Sequence, residues 1–243
     1  MQNIKEIKTK KALLCSDLHL NEETKDITET FCFWLKKNCI LTNKQDQPEW
    51  LLILGDLFDA WIGDDYLSFN KDSTPLKDLK NIFFNIKEAG TSIGIMHGNR
   101  DFLLGQKICD SFYAQPLHST VRLVRRTSPV ILLMHGDELC VGDTDHQQFR
   151  RIVRSKEWKS SFLKKDIEER EIIAKNMRLN SNKSKKNKLM SVMDIDDFEA
   201  EMYLKKNKAE VLIHGHTHLP GKYKLKSGKD RWVIPDWKKS KNK

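Results

Sequence analysis

The chain contains no Cys-x-x-Cys pair, and its five cysteines, Cys15, Cys32, Cys39, Cys109 and Cys140, make an odd set. A disulfide framework is therefore not expected, and reduced thiols in a cytosolic compartment are the simplest reading. The opening segment Met1 to Lys11 is polar and basic and lacks the apolar stretch of a secretory signal. No apolar run approaches the roughly 20 residues that cross a bilayer, so no membrane-spanning helix is expected. No internal repeat occurs, and no proline falls between residues 149 and 207. What remains is 243 residues, 39% of them hydrophobic, enough for one large domain or one domain with an elaborated insertion.

Charge is unevenly placed along the chain. Of the net +9, Arg150 to Met190 carries 14 Lys/Arg against 5 Asp/Glu, and Gly221 to Lys243 carries 9 against 2, which leaves the remainder acidic. An acidic half suits cation binding. Basic patches attract polyanions such as nucleic acid, anionic lipid or nucleotide phosphates, although a solvated Lys-rich surface explains the tail equally well.

Short apolar runs read as buried strands at Ala12 to Cys15, Trp50 to Leu54, Ile131 to Met134 and Val211 to Ile213, with a weaker one at Ser92 to Met96. Helical spacing follows two of them: Ile27, Phe31, Trp34 and Leu35 in the first case, and Leu79, Ile82, Phe83 and Ile86, stopped by Gly90, in the second. Strands alternating with helices predict an α/β layered sheet with helices on its faces. Residues 149–207 break that alternation with Lys/Arg-rich helical patterns, in which the polar run Asn180 to Lys188 is expected to interrupt the helices. We read 1–148 and 208–243 as the core and 149–207 as an inserted helical cap.

Each apolar run ends in an island of potential ligands. These are Ser16-Asp17-Leu18-His19, Gly55-Asp56-Leu57-Phe58-Asp59, Gly98-Asn99-Arg100-Asp101, His135-Gly136-Asp137 and His214-Gly215-His216-Thr217-His218. Strand ends in one α/β sheet bring distant islands together. Asp-x-His at a strand end projects both side chains to one face. Carboxylate and amide oxygens mixed with imidazole nitrogens suit Mn, Fe or Zn better than Ca. Two such ions about 3.5–4 Å apart clamp a phosphoryl oxygen and acidify a bridging water, which points to attack on a phosphorus ester or anhydride. One Asp-x-His alone would be weak evidence; five islands in this order, each after an apolar run, are not.

On these islands the chain resembles the calcineurin-like metallophosphoesterases, an α/β sandwich of sheets flanked by helices, here with an inserted helical cap. More narrowly it is similar to the lipid A pathway diphosphatases that act on UDP-2,3-diacylglucosamine. That match rests on Gly55-Asp56-Leu57-Phe58-Asp59-Ala60-Trp61-Ile62-Gly63-Asp64-Asp65 and His97-Gly98-Asn99-Arg100-Asp101-Phe102-Leu103-Leu104-Gly105, and runs to about Pro220. The resemblance implies two Mn(2+) ions, one held by Asp17, His19, Asp56 and His216, the other by Asp56, Asn99, His135 and His214. It implies substrate contacts from Asn99, Arg100, Asp143, Ser181, Lys185, Lys188 and His214, with Trp61, Phe102 and His146 near the lipid or its sugar. Asp56 and Arg100 would be catalytic. Many relatives carry a His after the Asn; Arg100 cannot donate a proton near neutrality but can neutralise phosphate charge, which favours an anhydride over an alkoxide ester. The implied partners are the UDP-diacylglucosamine lipid and an anionic membrane surface at the cytoplasmic face of the inner membrane, where the protein would be peripheral. No nucleic acid and no obligate protein partner are expected.

Some positions depart from that pattern. His146 stands where a Tyr is usual, Glu138 where a small hydroxyl residue is, Lys185 where Asn or Thr is common, and Pro235 where a Gly precedes Asp236-Trp237. None of these is a proposed ligand. Two rival readings keep less of the resemblance: a nuclease or phosphodiesterase using the basic cap and tail, against which the cap's lack of an aromatic ladder counts, and a non-catalytic scaffold, against which the intact ligand set counts.

Overall fold

The computed structural model describes residues 5–70, 73–126, 128–186 and 194–238. In chain order the strands are β1 (Lys5–Lys8), β2 (Ala12–Cys15), β3 (Trp50–Leu54), β4 (Ser92–Met96) and β5 (Ala114–Pro116), then β6 (Thr120–Val124), β7 (Ile131–Met134), β8 (Val211–His214), β9 (Gly221–Lys224) and β10 (Asp230–Val233). The helices are α1 (Lys25–Leu35), α2 (Tyr66–Phe69), α3 (Thr74–Glu88), α4 (Gln106–Ser111), α5 (Thr144–Arg154), α6 (Lys156–Leu163), α7 (Ile167–Lys186) and α8 (Asp197–Lys206). All five apolar runs form strands. Of the strands the sequence did not announce, β1 and β9 are short and largely charged or exposed, as in Lys5-Glu6-Ile7-Lys8 and Gly221-Lys222-Tyr223-Lys224, whereas β6 is mostly buried.

Strands β2-β3-β4-β5 make an all-parallel sheet, and β1-β6-β7-β8-β10-β9 make a mixed one. Because successive strand residues face opposite sides, the apolar runs serve two layers at once. Leu51, Ile53, Ile93 and Ile95 face outward onto Phe31 and Leu35 of α1 and Leu79, Phe83 and Ile86 of α3. Leu52, Leu54 and Met96 face inward and meet Val121, Leu123, Leu133 and Ile213 of the second sheet. On that sheet's other side, Leu132, Met134 and Leu212 pack on Ala200 and Leu204 of α8. Each buried Leu or Phe contributes about 1.5–3 kcal/mol relative to exposure. The result is an α/β/β/α sandwich whose parallel strands end together at the site.

Helix α8 lies in the outer layer of this sandwich, although the sequence reading grouped residues up to 207 with the insertion. Helix α7 runs through Lys186 without the expected break at Asn180. Its polar residues include neither Pro nor Gly, so each costs only a few tenths of a kcal/mol in a solvated helix. The helix is tied to the core by Arg170, whose side chain is 1% exposed. Its guanidinium donates to the Ile62 carbonyl at 2.7 Å and to both carboxylate oxygens of Asp65. Among the described residues, no helix is long and apolar enough to cross a membrane.

Candidate metal centre

The loops leaving β2 and β3 are zipped together by backbone bonds: Asp17 N–H to Gly55 O at 3.2 Å, Leu18 N–H to Asp56 O at 2.9 Å and His19 N–H to Asp56 O at 3.0 Å. Asp101 fastens the next loop by accepting from the amides of Leu57 at 2.8 Å and Gly98 at 2.7 Å. A Cβ at Gly98 would lie 2.0 Å from Asp56 Oδ1, and one at Gly215 would lie 2.2 Å from Asp17 Oδ2, so both approaches require glycine. Asp17, His19, Asp56, His216 and His218 all hold positive φ, between 52° and 66°. For non-glycine residues this costs roughly 1–2 kcal/mol each, and such strain persists where surrounding contacts force a particular aim on the side chain.

Those aims converge. The ligand atoms of Asp17, Asp56 and His135 lie within 4.8 Å of one another, as do those of Asp17, His19 and His218. His135 Nε2 is 3.7 Å from Asp56 Oδ1, and His19 Nδ1 is 3.7 Å from Asp56 Oδ2, which puts Asp56 between the two groups. Asn99 Oδ1 sits 3.0 Å from His135 Nε2 and 2.8 Å from His216 Nδ1. Asp17 Oδ1 and His19 Nδ1 are buried without a hydrogen-bond partner. Orphaned oxygens and nitrogens at this depth are costly unless something else satisfies them, and the mixed O/N donor set is that of a first-row divalent cation.

The third histidine of the last island is a site residue that the sequence reading left unassigned. His218 Nε2 is 3.4 Å from Asp17 Oδ1 and 3.5 Å from His19 Nε2, and its Nδ1 is backed by Asp236 Oδ2 at 3.3 Å. His216 stands beside Asn99 with its ring 5.2 Å from that of His135, in the place expected for His214. His214, the last residue of β8, is wholly buried; its ring lies against Gly136, and Nδ1 faces the Gly215 carbonyl at 2.8 Å. Its Nε2 is buried without a hydrogen-bond partner, and no hydrogen bond joins its side chain to Asp56, Asn99 or His135 among the described residues. The strand's two-residue period ends at His214, and the left-handed residues 216 and 218 turn their side chains independently of it. A repeated His-x-His leaves the choice of histidines open to sequence, and the positive φ at His216 and His218 sets where those two rings point.

Electrostatics agree with a cation site. Burial drives His19 down to about 3 despite Asp17, and drives His216 well below its ordinary value, so both rings are neutral with a lone pair free for a ligand bond. Burial likewise lowers His214 to about 4. For Asp17, burial acts upward, but the adjacent His218 and the other surrounding imidazoles outweigh it and hold the carboxyl low. Burial, helped by Asp101 and Asp17, pushes Asp56 upward, while His135 is raised because Asp56 and Asp17 outweigh its own burial.

Beside this cluster a cavity of about 350 Å³ opens between the core and α5–α7. Trp61, Asn99, Arg100, Phe102, Asp143, His146 and Ser181, all singled out from sequence, line it. His214 does not. Asp143 also caps α5, accepting from the His146 amide at 3.1 Å, and the His146 ring lies 5.4 Å from that of His216. Lys188 and the side chain of Lys185 lie outside the described residues. Arg100 donates to Asp59 Oδ1 at 3.2 Å, leaving the rest of its fork to face the cavity. The Glu138 that departs from the family pattern is engaged by Arg150 at 2.7 Å, which also holds Asp137 at 2.7 Å; Arg154 links Asp137 to the Gly98 carbonyl. These arginines of α5 therefore tie the Asn99 and His135 loops together.

Residues 10–220 match the family model "Calcineurin-like phosphoesterase". The UDP-2,3-diacylglucosamine hydrolase of Bordetella pertussis is 38% identical over 229 residues, which cover 92% of this chain and 84% of that protein. The enzyme of the same name from Chromohalobacter salexigens is 36% identical, with 93% and 88% covered. That from Haemophilus influenzae is 36% identical, with 95% and 92% covered.

Proposed function

The chain belongs to the calcineurin-like phosphoesterases, and from that premise we propose that it hydrolyses the pyrophosphate bond of UDP-2,3-diacylglucosamine, giving UMP and 2,3-diacylglucosamine 1-phosphate for lipid A synthesis. The named relatives support the substrate. The observation that carries the reading is the cavity that opens onto Asn99 and Arg100 beside the ligand cluster, with Phe102, Phe149, Trp158, Phe162 and Met177 in its walls. Apolar walls meeting a charged, cation-binding floor suit a lipid with an anionic head.

Asp17, His19, Asp56 and His218 would hold one cation, and Asp56, Asn99, His135 and His216 the other; this assignment replaces His214 with His218. Mn(2+) is the proposed metal, consistent with the oxygen and nitrogen donors. Such a pair, when bound, clamps a phosphoryl oxygen and lowers the pKa of water. Arg100 neutralises charge on the anhydride as the lipid phosphate departs, and because that group leaves as an anion no proton donor is needed. Asp143, His146, Ser181, Lys185 and Lys188 contact the sugar and phosphate in this reading.

In this reading the substrate's acyl chains bring the protein to an anionic membrane surface, which we propose is the cytoplasmic face of the inner membrane. Exposed Ile152, Leu163 and Ile172 on the cap, interspersed with exposed Lys156 and Lys164, support peripheral contact there. The test is direct: purified protein, Mn(2+) and UDP-2,3-diacylglucosamine in detergent should release UMP. Absence of UMP from protein with confirmed metal content would defeat the assignment.

A further inference from the structure

A second cavity, of about 570 Å³, lies back to back with the first. The two share a wall made of Asp59 to Ile62 together with Ala174 and Arg178 of α7. The wall's charged point is Asp59, which is 4% exposed. Its carboxylate accepts from Arg100 and from Asn21 Nδ2, each at 3.2 Å, and pairs with Arg178. Its amide donates to the Leu20 carbonyl at 3.1 Å, one residue beyond His19. The junction of the cavities therefore carries two guanidiniums, Arg100 and Arg178, against Asp59 and, on the side of the second cavity, Glu23, which attracts Arg178, next to the ligand cluster. An anhydride with its negative charge would sit there.

The chemistry on the two sides of the wall differs. The first cavity is walled chiefly by aromatic rings; the second has apolar walls of Leu20, Phe58, Leu76 and Leu179 but adds Asn21, Glu22, Glu23, Tyr66, Asn70, Glu171 and Lys175. Acyl chains cannot be buried against those carboxylates without leaving charges desolvated. A ribose can, because its hydroxyls donate to Glu22 or Glu171, and the Asn70 amide keeps its oxygen and its second N–H to offer an acceptor and a donor to a pyrimidine edge. Tyr66 is held in place for contact with a base: its hydroxyl accepts from Asn70 at 3.0 Å and donates to Glu171, and its ring stands edge-on to Trp61 at 5.8 Å.

We propose that this second cavity is the nucleoside subsite, taking the uridine half of the substrate while the first cavity takes the lipid half. The inference rests on the hydrolase reading above and adds where the nucleotide goes. Its ligand class is a pyrimidine nucleoside monophosphate, with phosphate at the Arg100–Arg178 junction and sugar toward the glutamates.

The test measures binding of UMP and, separately, of 2,3-diacylglucosamine 1-phosphate in detergent to the Mn-loaded protein by calorimetry. Asn70→Trp fills the cavity and should weaken UMP about tenfold, the loss of one or two hydrogen bonds, with lipid phosphate affinity unchanged. Lys175→Glu, at an exposed rim position where folding is not at stake, should weaken UMP about threefold in the same direction. Equal weakening of both ligands, or unchanged UMP affinity in both variants, would overturn the subsite. Failure of the underlying reading looks different: wild-type protein that binds UMP but releases none from the UDP-lipid. Hydrolysis at wild-type kcat/KM by Asn70→Trp would sink the subsite and leave the hydrolase standing.

Discussion

The ligand loops and the cap solve opposite problems. Five positive-φ residues, Gly98 and Gly215 pressed against carboxylates, and the Asp101 carboxylate gathering backbone amides fix the loops in one arrangement. The cap leaves Phe149, Ile152, Leu163, Ile172 and Leu179 exposed. It is joined to the core at a few charged points, chiefly Arg170 to Asp65, Arg178 to Asp59 and Arg154 to the Asp137 and Gly98 loop. Rigid loops preorganise reacting groups; a lightly fastened helical cover admits a long lipid. Where chemistry happens the structure is over-determined, and where substrate enters it is only pinned.

The sharpest way to break this contrast is at Asp56. Asp56→Ala should lower UMP release by about 10³-fold or more, since both cation groups lose their common carboxylate, with metal content falling in parallel. Activity within tenfold of wild type would remove the bridging role. Next in size is the histidine pair. His218→Ala should cost one metal equivalent per chain and about 100-fold in rate. His214→Ala should keep two equivalents and instead lose about 1–3 kcal/mol of stability as a buried-group truncation, read by mass spectrometry and thermal melting. The reverse pattern would restore the His214 assignment.

The cap should respond more mildly. Arg170→Met removes the bonds to Ile62 and Asp65, and because Asp65 is 55% exposed its stranded charge returns to water. We expect about 1–2 kcal/mol, faster limited proteolysis within α7, and unchanged metal content. Loss of metal in this variant would show that cap and loops are not separable. The smallest effect is one of pH. The Arg170 hydrogen bond holds the Asp65 carboxyl below its ordinary value. A depressed folded-state pKa means that stability is present above the unfolded value, about 3.9, and is lost as pH falls through the folded one. The gap in melting temperature between wild type and Asp65→Asn should therefore narrow below about pH 4; a gap that persists there would mean the ion pair contributes nothing.

Much of this was legible in one dimension. Leu51 to Leu54 had to be a buried strand because four apolar residues in succession can be satisfied only between two layers, and the carboxylate that follows them had to emerge at its end. Strands such as Gly221 to Lys224, exposed along their whole length, left no hydrophobic signature to read. Nor could spacing decide that α8 joins the sandwich while α7 covers the site, because both show mixed helical patterns and only the facing surface, Leu132 and Leu212 for α8, distinguishes them.

The order and kind of the candidate ligands and the apolar strands that carry them follow from the sequence by itself, since they depend on local periodicity and on donor chemistry, and the family follows from the resemblance of its motifs. That His216 and His218 of His214-Gly215-His216-Thr217-His218 stand beside Asn99 and Asp17 while His214 lies against Gly136, and that Asp59 lies in a wall between two cavities under the cap, were decided only by tertiary structure. Backbone torsions beyond a strand's end and the meeting of residues more than a hundred positions apart are set by packing, and no spacing rule encodes them.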